Sequence, residues 1–389
     1  MAYDKLKVIK FELDRQRWRV KKHLNRAEIW IIQSKKNYER AQRVYRYFFS
    51  EERNIYPFYI PAFIYIFLLL LHALWDNIPD YWNSVYTQPT FPEVPPPMLE
   101  YSSAQYPNEI TVVTAYFNLG DFQKGPINIF TQDMYKQWMS AYSKLNNSVI
   151  AFTDSEDIAR LFRQERTKHF AEMLTQVHVV KRDDFWAFKL APRIKDIYSE
   201  PDYPKFPPNT VNEYYSCAMH IKYELLEIVI KKKLHRTRYL SWVDIGYFRE
   251  KMNKIYKLEP PDNLKEGHIA YTQIHPFYEY MQPEDIIKNN AVWIAGGFIL
   301  GKPEYLMIMI EDYRKAVEDL ISKRLMDTDQ QVLYILYSQY SDVKPRVPVQ
   351  TIYHLCRCNW FFLGELCRDT YDRQFRPFFP LLNFLSYLV

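Results

Sequence analysis

Residues 241–249 read SWVDIGYFR, and the aspartate at 244 decides how the rest of the chain is read. A basic approach at residues 231–238 runs into an apolar, strand-like run at 239–243 that ends abruptly at Asp244. A carboxylate at the tip of an otherwise buried strand costs several kcal/mol unless it is solvated, paired or bound to a cation. Ligand sites of open α/β sheets lie just outside such carboxyl ends. Gly246, two residues on, lets the backbone turn tightly or lie close to a neighbour. One hard carboxylate and a glycine turn suit a Mg²⁺ or Mn²⁺ ion that takes its other ligands from phosphate and water. A strand-end aspartate that simply caps a turn has the same local pattern, so the surroundings of Asp244 must decide.

Working outward, the segments before this strand alternate between strand and helix. Residues 110–117, ITVVTAYF, form a β-branched and aromatic run closed by Asn118-Leu119-Gly120. The spacing predicts a helix over 129–144, a strand over 149–152, and a helix over 156–166 capped by Thr153-Asp154-Ser155. A third short strand follows at 177–180, then helices at 186–198 and 212–234. Tyr215, Met219, Ile221, Leu225 and Ile228 recur at helical spacing, a stripe that core packing explains. Strands that are apolar on both faces and separated by helices imply a mostly parallel sheet covered on both sides.

Beyond Asp244 the run AVWIAGGFIL at 291–300 is broken by Gly296-Gly297, a pair that inside a strand marks a bulge or a close approach to the backbone. Helices are predicted at 304–324 and from Asp329 to Tyr340.

The other end of the chain differs in kind. Residues 1–55 hold fifteen Lys/Arg and seven Asp/Glu, whereas the remainder holds 36 and 39. Residues 55–75, IYPFYIPAFIYIFLLLLHALW, contain no Asp, Glu, Lys or Arg. As a helix that run spans about 30 Å of hydrocarbon, with Tyr56, Tyr59 and Trp75 where interfacial aromatics belong. The expectation is a charged, helical cytosolic tail (1–54), a single-pass type II signal-anchor helix (55–75) and a proline-rich stem (76–108) around Pro95-Pro96-Pro97. A luminal domain (109–389) follows in the Golgi or another secretory compartment. Cys217, Cys356, Cys358 and Cys367 all lie on the luminal side of this expected topology, where three full pairings are open to them. Asn146-Asn147-Ser148 is a glycosylation sequon on that side, so a glycoprotein is expected. Basic residues cluster in the tail without a recognisable module, which argues against nucleic acid as a partner. Nothing in the sequence fixes an oligomeric state.

The ordered set TAYFNLG, FTDS, WVDIGYFR, AGGFILGKPEYL and DTDQQVLY resembles the HtrL/YibB-type family of glycosyltransferase-like proteins over roughly residues 109–363. It is similar at a distance to nucleotide-sugar transferases of the GT-A fold. The resemblance implies a GT-A-like α/β domain and a membrane-anchored, hexosyltransferase-like enzyme. Such an enzyme moves a sugar from a nucleotide-diphosphate donor to a glycan or glycoconjugate acceptor with Mn²⁺ or Mg²⁺. It places Thr114, Tyr116 and Asn118 against the base and ribose, with Asp154 also on the ribose side. It makes Asp244 the metal ligand, with His354 completing the shell, and has Gly296 and Gly297 let the sugar approach the sheet. Asp329 and Gln330 would contact the transferred sugar or acceptor, Asp329 serving as base if the reaction inverts. GT-A enzymes usually carry Asp-x-Asp, whereas this chain has Asp244-Ile245-Gly246. Lys189, Arg193 and Lys302 are candidates to assist the leaving phosphate, and each reads equally well as a solvated surface charge. The rival readings are an inactive relative that binds glycans or partners, and a metal-dependent phosphoester hydrolase. The hydrolase lacks a dense Asp/His cluster.

Overall fold

The structure, a computed structural model, describes Tyr106 and residues 109–125, 128–169, 174–249, 254–353 and 359–369. The expected tail, membrane span and all but Tyr106 of the stem lie outside the described residues, as do His354, Cys356 and Cys358. Among the described residues no helix is long and apolar enough to cross a membrane.

The chain enters through β1 (Ile110–Tyr116), makes a small hairpin of β2 (Phe122–Lys124) and β3 (Asn128–Phe130), and continues into α1 (Gln132–Met139). Then come β4 (Ser148–Thr153), α2 (Glu156–Thr167), β5 (Thr175–Val179), α3 (Trp186–Lys189), α4 (Ala191–Tyr198), α5 (Glu213–Lys231) and β6 (Tyr239–Val243). The last part contains β7 (Ile269–Gln273), α6 (Pro283–Lys288), β8 (Ile294–Gly301), α7 (Pro303–Ser322), α8 (Asp329–Tyr337), β9 (Val349–Ile352) and α9 (Phe362–Asp369). Seven of the strands form one sheet in the order β5-β4-β1-β6-β8-β7-β9. All run parallel except β8, which is antiparallel to both β6 and β7. The expected α/β architecture with a mostly parallel sheet between helices is therefore present.

Period-two alternation divides the sheet's side chains between two cores. From β1, Val113 joins Ile150, Leu240 and Trp242 on the face covered by α5 and α7. Ile110 and Val112 join Val149, Val243 and Phe298 on the other face, with Tyr142 and Phe162. Both faces are buried, which is why these strands read as continuous apolar runs.

Three local expectations change. The single helix expected over 129–144 is split: residues 128–130 pair in the hairpin, and α1 starts only after Thr131, whose hydroxyl accepts from Met134 N at 3.3 Å. The chain then tightens into a 3₁₀ turn at Ser140–Lys144. The helix begun by Asp329 stops at Tyr337 instead of reaching Tyr340. Cys217 is a free thiol buried in α5, and burial pushes it up to about 12.

Sheet order fixes where a ligand can sit. From β1 the chain first builds one flank through β4 and β5, then crosses to the other side at β6. The carboxyl ends of β1 and β6 lie side by side at this switch point, and the entry of the reversed strand β8 lies beside the end of β6. Residues 116–120, 244–249 and 294–297 thus meet at one edge of the sheet.

Candidate active-site cavity

At that edge is a cavity of about 510 Å³, within the range of small-molecule sites. Its floor is built around Lys222 of α5. The ammonium is 2.9 Å from Asp329 Oδ2, 3.8 Å from Asp244 Oδ1, and donates to the Gly296 carbonyl at 2.9 Å. Lys222 and Asp329 are each 1% exposed, whereas the Asp244 side chain is 39% exposed. Burial pulls Lys222 down, and the Asp329 and Asp244 charges more than offset it, so the lysine is held above its ordinary value. Burial pushes Asp329 up against the pull of Lys222. Tyr223 adds a hydrogen bond to Asp329 Oδ2 at 3.4 Å.

Asp244 is fixed from several sides. Its Oδ1 accepts from Trp242 Nε1 at 2.7 Å, its N–H donates to the Gly297 carbonyl at 2.9 Å, and its carbonyl accepts from Tyr247 N at 2.8 Å. The buried Tyr142 hydroxyl lies 3.2 Å from the Val243 carbonyl and 3.3 Å from that of Asp244. The turn so formed is packed on its own glycine: a Cβ at Gly246 would lie 2.6 Å from the Trp138 ring. Oδ2 is the oxygen of this carboxylate with no hydrogen bond to the described residues.

Gly296 and Gly297 lie in the wall, and their missing side chains admit protein groups. A Cβ at Gly296 would overlap Asp329 Oδ2 and lie 3.0 Å from its Cγ, and one at Gly297 would lie 3.2 Å from the Tyr247 ring and 3.3 Å from Asp244 Oδ2. Asp329, the first residue of α8, is thereby brought against the sheet backbone. Gln330 lines the cavity and donates to the Ile294 carbonyl at 2.9 Å. Tyr116 is also in the wall, its phenol pushed up to about 12 by burial and then by Asp154.

Thr114, Asn118 and Asp154 do not line the cavity. Thr114 is wholly buried and its hydroxyl meets Tyr142 at 3.2 Å. Asp154 accepts from Asn118 N at 3.2 Å and pairs with Arg182 at 2.9 Å, fastening the loop after β1. Lys189, Arg193 and Lys302 are engaged elsewhere, with the Asp184 carbonyl, Glu318 and Glu266. The cations that do line the cavity are Lys124, Lys222 and Arg249. Sequence reasoning missed all three. Lys222 carried the one available signal, a charge inside the apolar stretch of α5. The aromatic side wall, with Phe122, Phe130, Tyr135, Trp138 and Tyr215, was also missed.

The fit of a divalent ion follows from these contacts. Among the described residues no group of three or more His, Cys, Asp or Glu could hold a metal. Asp329 is already matched by Lys222. The donor set therefore does not fit an all-protein cage. A Mg²⁺ or Mn²⁺ ion here would have Asp244 as its protein ligand and would take the rest of its shell from phosphate and water.

Residues 108–368 match the model of a family described as "Bacterial protein of unknown function (HtrL_YibB)". No curated protein matches the chain. Among solved structures, the crystal structure of mouse xyloside xylosyltransferase 1 in its apo form is similar at 12% identity and a TM-score of 0.34. That alignment covers 64% of this chain and 86% of the mouse one.

Proposed function

We propose that this chain, which belongs to the HtrL_YibB family, is a glycosyltransferase that moves a sugar from a nucleotide-diphosphate donor to a glycan or glycoconjugate acceptor. The observation that carries the reading is the half-exposed Asp244, held at the carboxyl end of β6 with one oxygen toward a 510 Å³ cavity at the sheet's switch point. The motif set read from the sequence agrees with it.

In this reading the aromatic wall takes the nucleoside and acceptor rings, whose faces stack on such side chains. Asp244 would hold the divalent ion, which would supply positive charge to balance that growing on the departing diphosphate. Lys222, 2.9 Å from Asp329 and 3.8 Å from Asp244, holds the two carboxylates in place on either side of its ammonium. Asp329, 1% exposed and paired, positions Lys222 and the β8 backbone in this reading. Gln330, fixed on the Ile294 carbonyl, faces the transferred sugar. The uncharged run at 55–75 supports a membrane anchor, and the exposed Asn146 supports use of its sequon.

The test is turnover. Purified full chain incubated with UDP- and GDP-sugars and Mn²⁺ hydrolyses one donor slowly, and Asp244→Asn lowers that rate on the order of a hundredfold. A rate unchanged by Asp244→Asn contradicts the assignment. A second reading, a binding protein of this fold without turnover, is favoured by the nearness of the Lys222 ammonium to the metal-facing carboxylate. It predicts saturable donor binding with no hydrolysis.

A further inference from the structure

Two cations at the cavity, Lys124 and Arg249, are held in an unusual way. Each packs its charged end on aromatic faces instead of against a carboxylate. The Lys124 ammonium is 5.6 Å from the Phe130 ring centre and 5.7 Å from that of Tyr215. The Arg249 guanidinium is 5.0 Å from the Phe361 ring and 5.8 Å from the Trp138 ring. Neither forms an ion pair among the described residues, although both are charged and both line the cavity. By contrast, Lys222 on the floor is paired.

The two side chains come from separate elements, the β2–β3 hairpin and the turn after β6, and share one field. The Tyr215 hydroxyl first, and Asp244 next, hold Lys124 above its ordinary value against the charge of Arg249. Asp244 alone does not neutralise the pair, because its Oδ1 is already taken by Trp242 and neighboured by Lys222. The local surplus is positive. Cation–π seating also fixes both heads before any ligand arrives, which lowers the cost of ordering them on binding. Pre-positioned cations with no ion pair among the described residues, facing a cavity with aromatic walls, are suited to an anion attached to a flat or cyclic group. Arginine adds a planar fork that matches two phosphate oxygens at once.

We infer that Lys124 and Arg249 form a two-sided clamp for a diphosphate, gripping the dianionic bridge of the donor between nucleoside and sugar. The identity of the ester partners rests on the transferase reading; the grip on a diphosphate does not. The clamp predicts that affinity resides in these two side chains even when metal is withheld, and that it weakens as salt rises.

The experiment is calorimetric titration of the purified full chain with inorganic pyrophosphate in EDTA, with inorganic sulfate at matched ionic strength as control. Wild type binds pyrophosphate and binds sulfate more weakly. Arg249→Gln and Lys124→Gln each lose roughly tenfold in affinity, the double variant loses more, and Arg249→Lys keeps part of it. Both residues lie on the surface side of the cavity, so thermal midpoints stay at the wild-type value and report an intact fold. Absence of pyrophosphate binding to wild type, or equal binding by wild type and the double variant, overturns the clamp. Donor hydrolysis separates the two proposals. Pyrophosphate binding that depends on both residues, with no donor turned over, leaves the clamp standing and removes the transferase. Turnover indifferent to the double substitution does the reverse.

Discussion

Replacing Lys222 by methionine keeps the length of the side chain and removes its charge. The ammonium lies 2.9 Å from Asp329 Oδ2 with both groups 1% exposed. At an effective dielectric of about 20, that separation corresponds to roughly 6 kcal/mol of attraction, most of which is offset by the cost of desolvating two ions. The measurable consequence is the asymmetry between breaking and replacing the pair. Lys222→Met strands a buried carboxylate and leaves the Gly296 carbonyl without its donor, so it is expected to cost about 3–5 kcal/mol. Asp329→Leu alone strands the lysine and costs a similar amount. The double substitution removes both charges and should recover a large part of the loss, giving a coupling of about 2–3 kcal/mol. The assay is urea unfolding at pH 7 followed by tryptophan fluorescence, with the slope of the transition checked for constancy across the four proteins. Single substitutions costing under about 1 kcal/mol, or costs that simply add, would show that Lys222 and Asp329 do not act as a buried pair.

Two further outcomes follow from the same geometry. Gly296→Ala places a Cβ in the space of the Asp329 carboxylate, which cannot swing away without leaving Lys222. A loss of about 2–4 kcal/mol in unfolding free energy is expected, and a value within about 0.5 kcal/mol of wild type would contradict it. Asp327 is buried with Oδ2 unpartnered and is pushed up to about 7 by burial. Its folded state therefore holds a proton that the unfolded chain has released, and the stability this group contributes is lost as pH rises from about 4 to about 7. Asp327→Asn removes that loss, so the stability difference between variant and wild type should widen across this window toward an upper bound of about 4 kcal/mol. A difference independent of pH would refute the assignment.

How much of this was readable beforehand depended on whether the signal was local. The strands at 110–116, 148–153 and 239–243 announced themselves because a strand covered on both faces is a continuous apolar run. Asp244 and the Gly296-Gly297 pair stood out by ending or breaking such runs, Asp329 came from the motif set, and the fold brings all four to one cavity. The direction of β8 was not legible, since apolar runs look alike whether paired parallel or antiparallel. The β2–β3 hairpin was hidden because Ile129 falls at a spacing that continues the helix of residues 132–139. Lys222 carried only a faint signal, as a charge among apolar neighbours, and nothing in α5 announces a partner far along the chain. Thr114, Asn118 and Asp154 look equally well placed on paper. Yet Thr114 points to Tyr142 beneath the sheet, and Asp154 is spent on Arg182 and the loop carrying Asn118.

The central claim is that the cavity beside Asp244 receives a nucleotide-sugar diphosphate. Calorimetric titration of the full chain with UDP- and GDP-sugars in Mn²⁺, on wild type and Asp244→Asn, tests it most directly. The account predicts saturable binding of one donor by wild type and an affinity lower by on the order of a hundredfold in the variant, about 2.7 kcal/mol. Identical isotherms for the two proteins, or no donor bound by wild type, would contradict it.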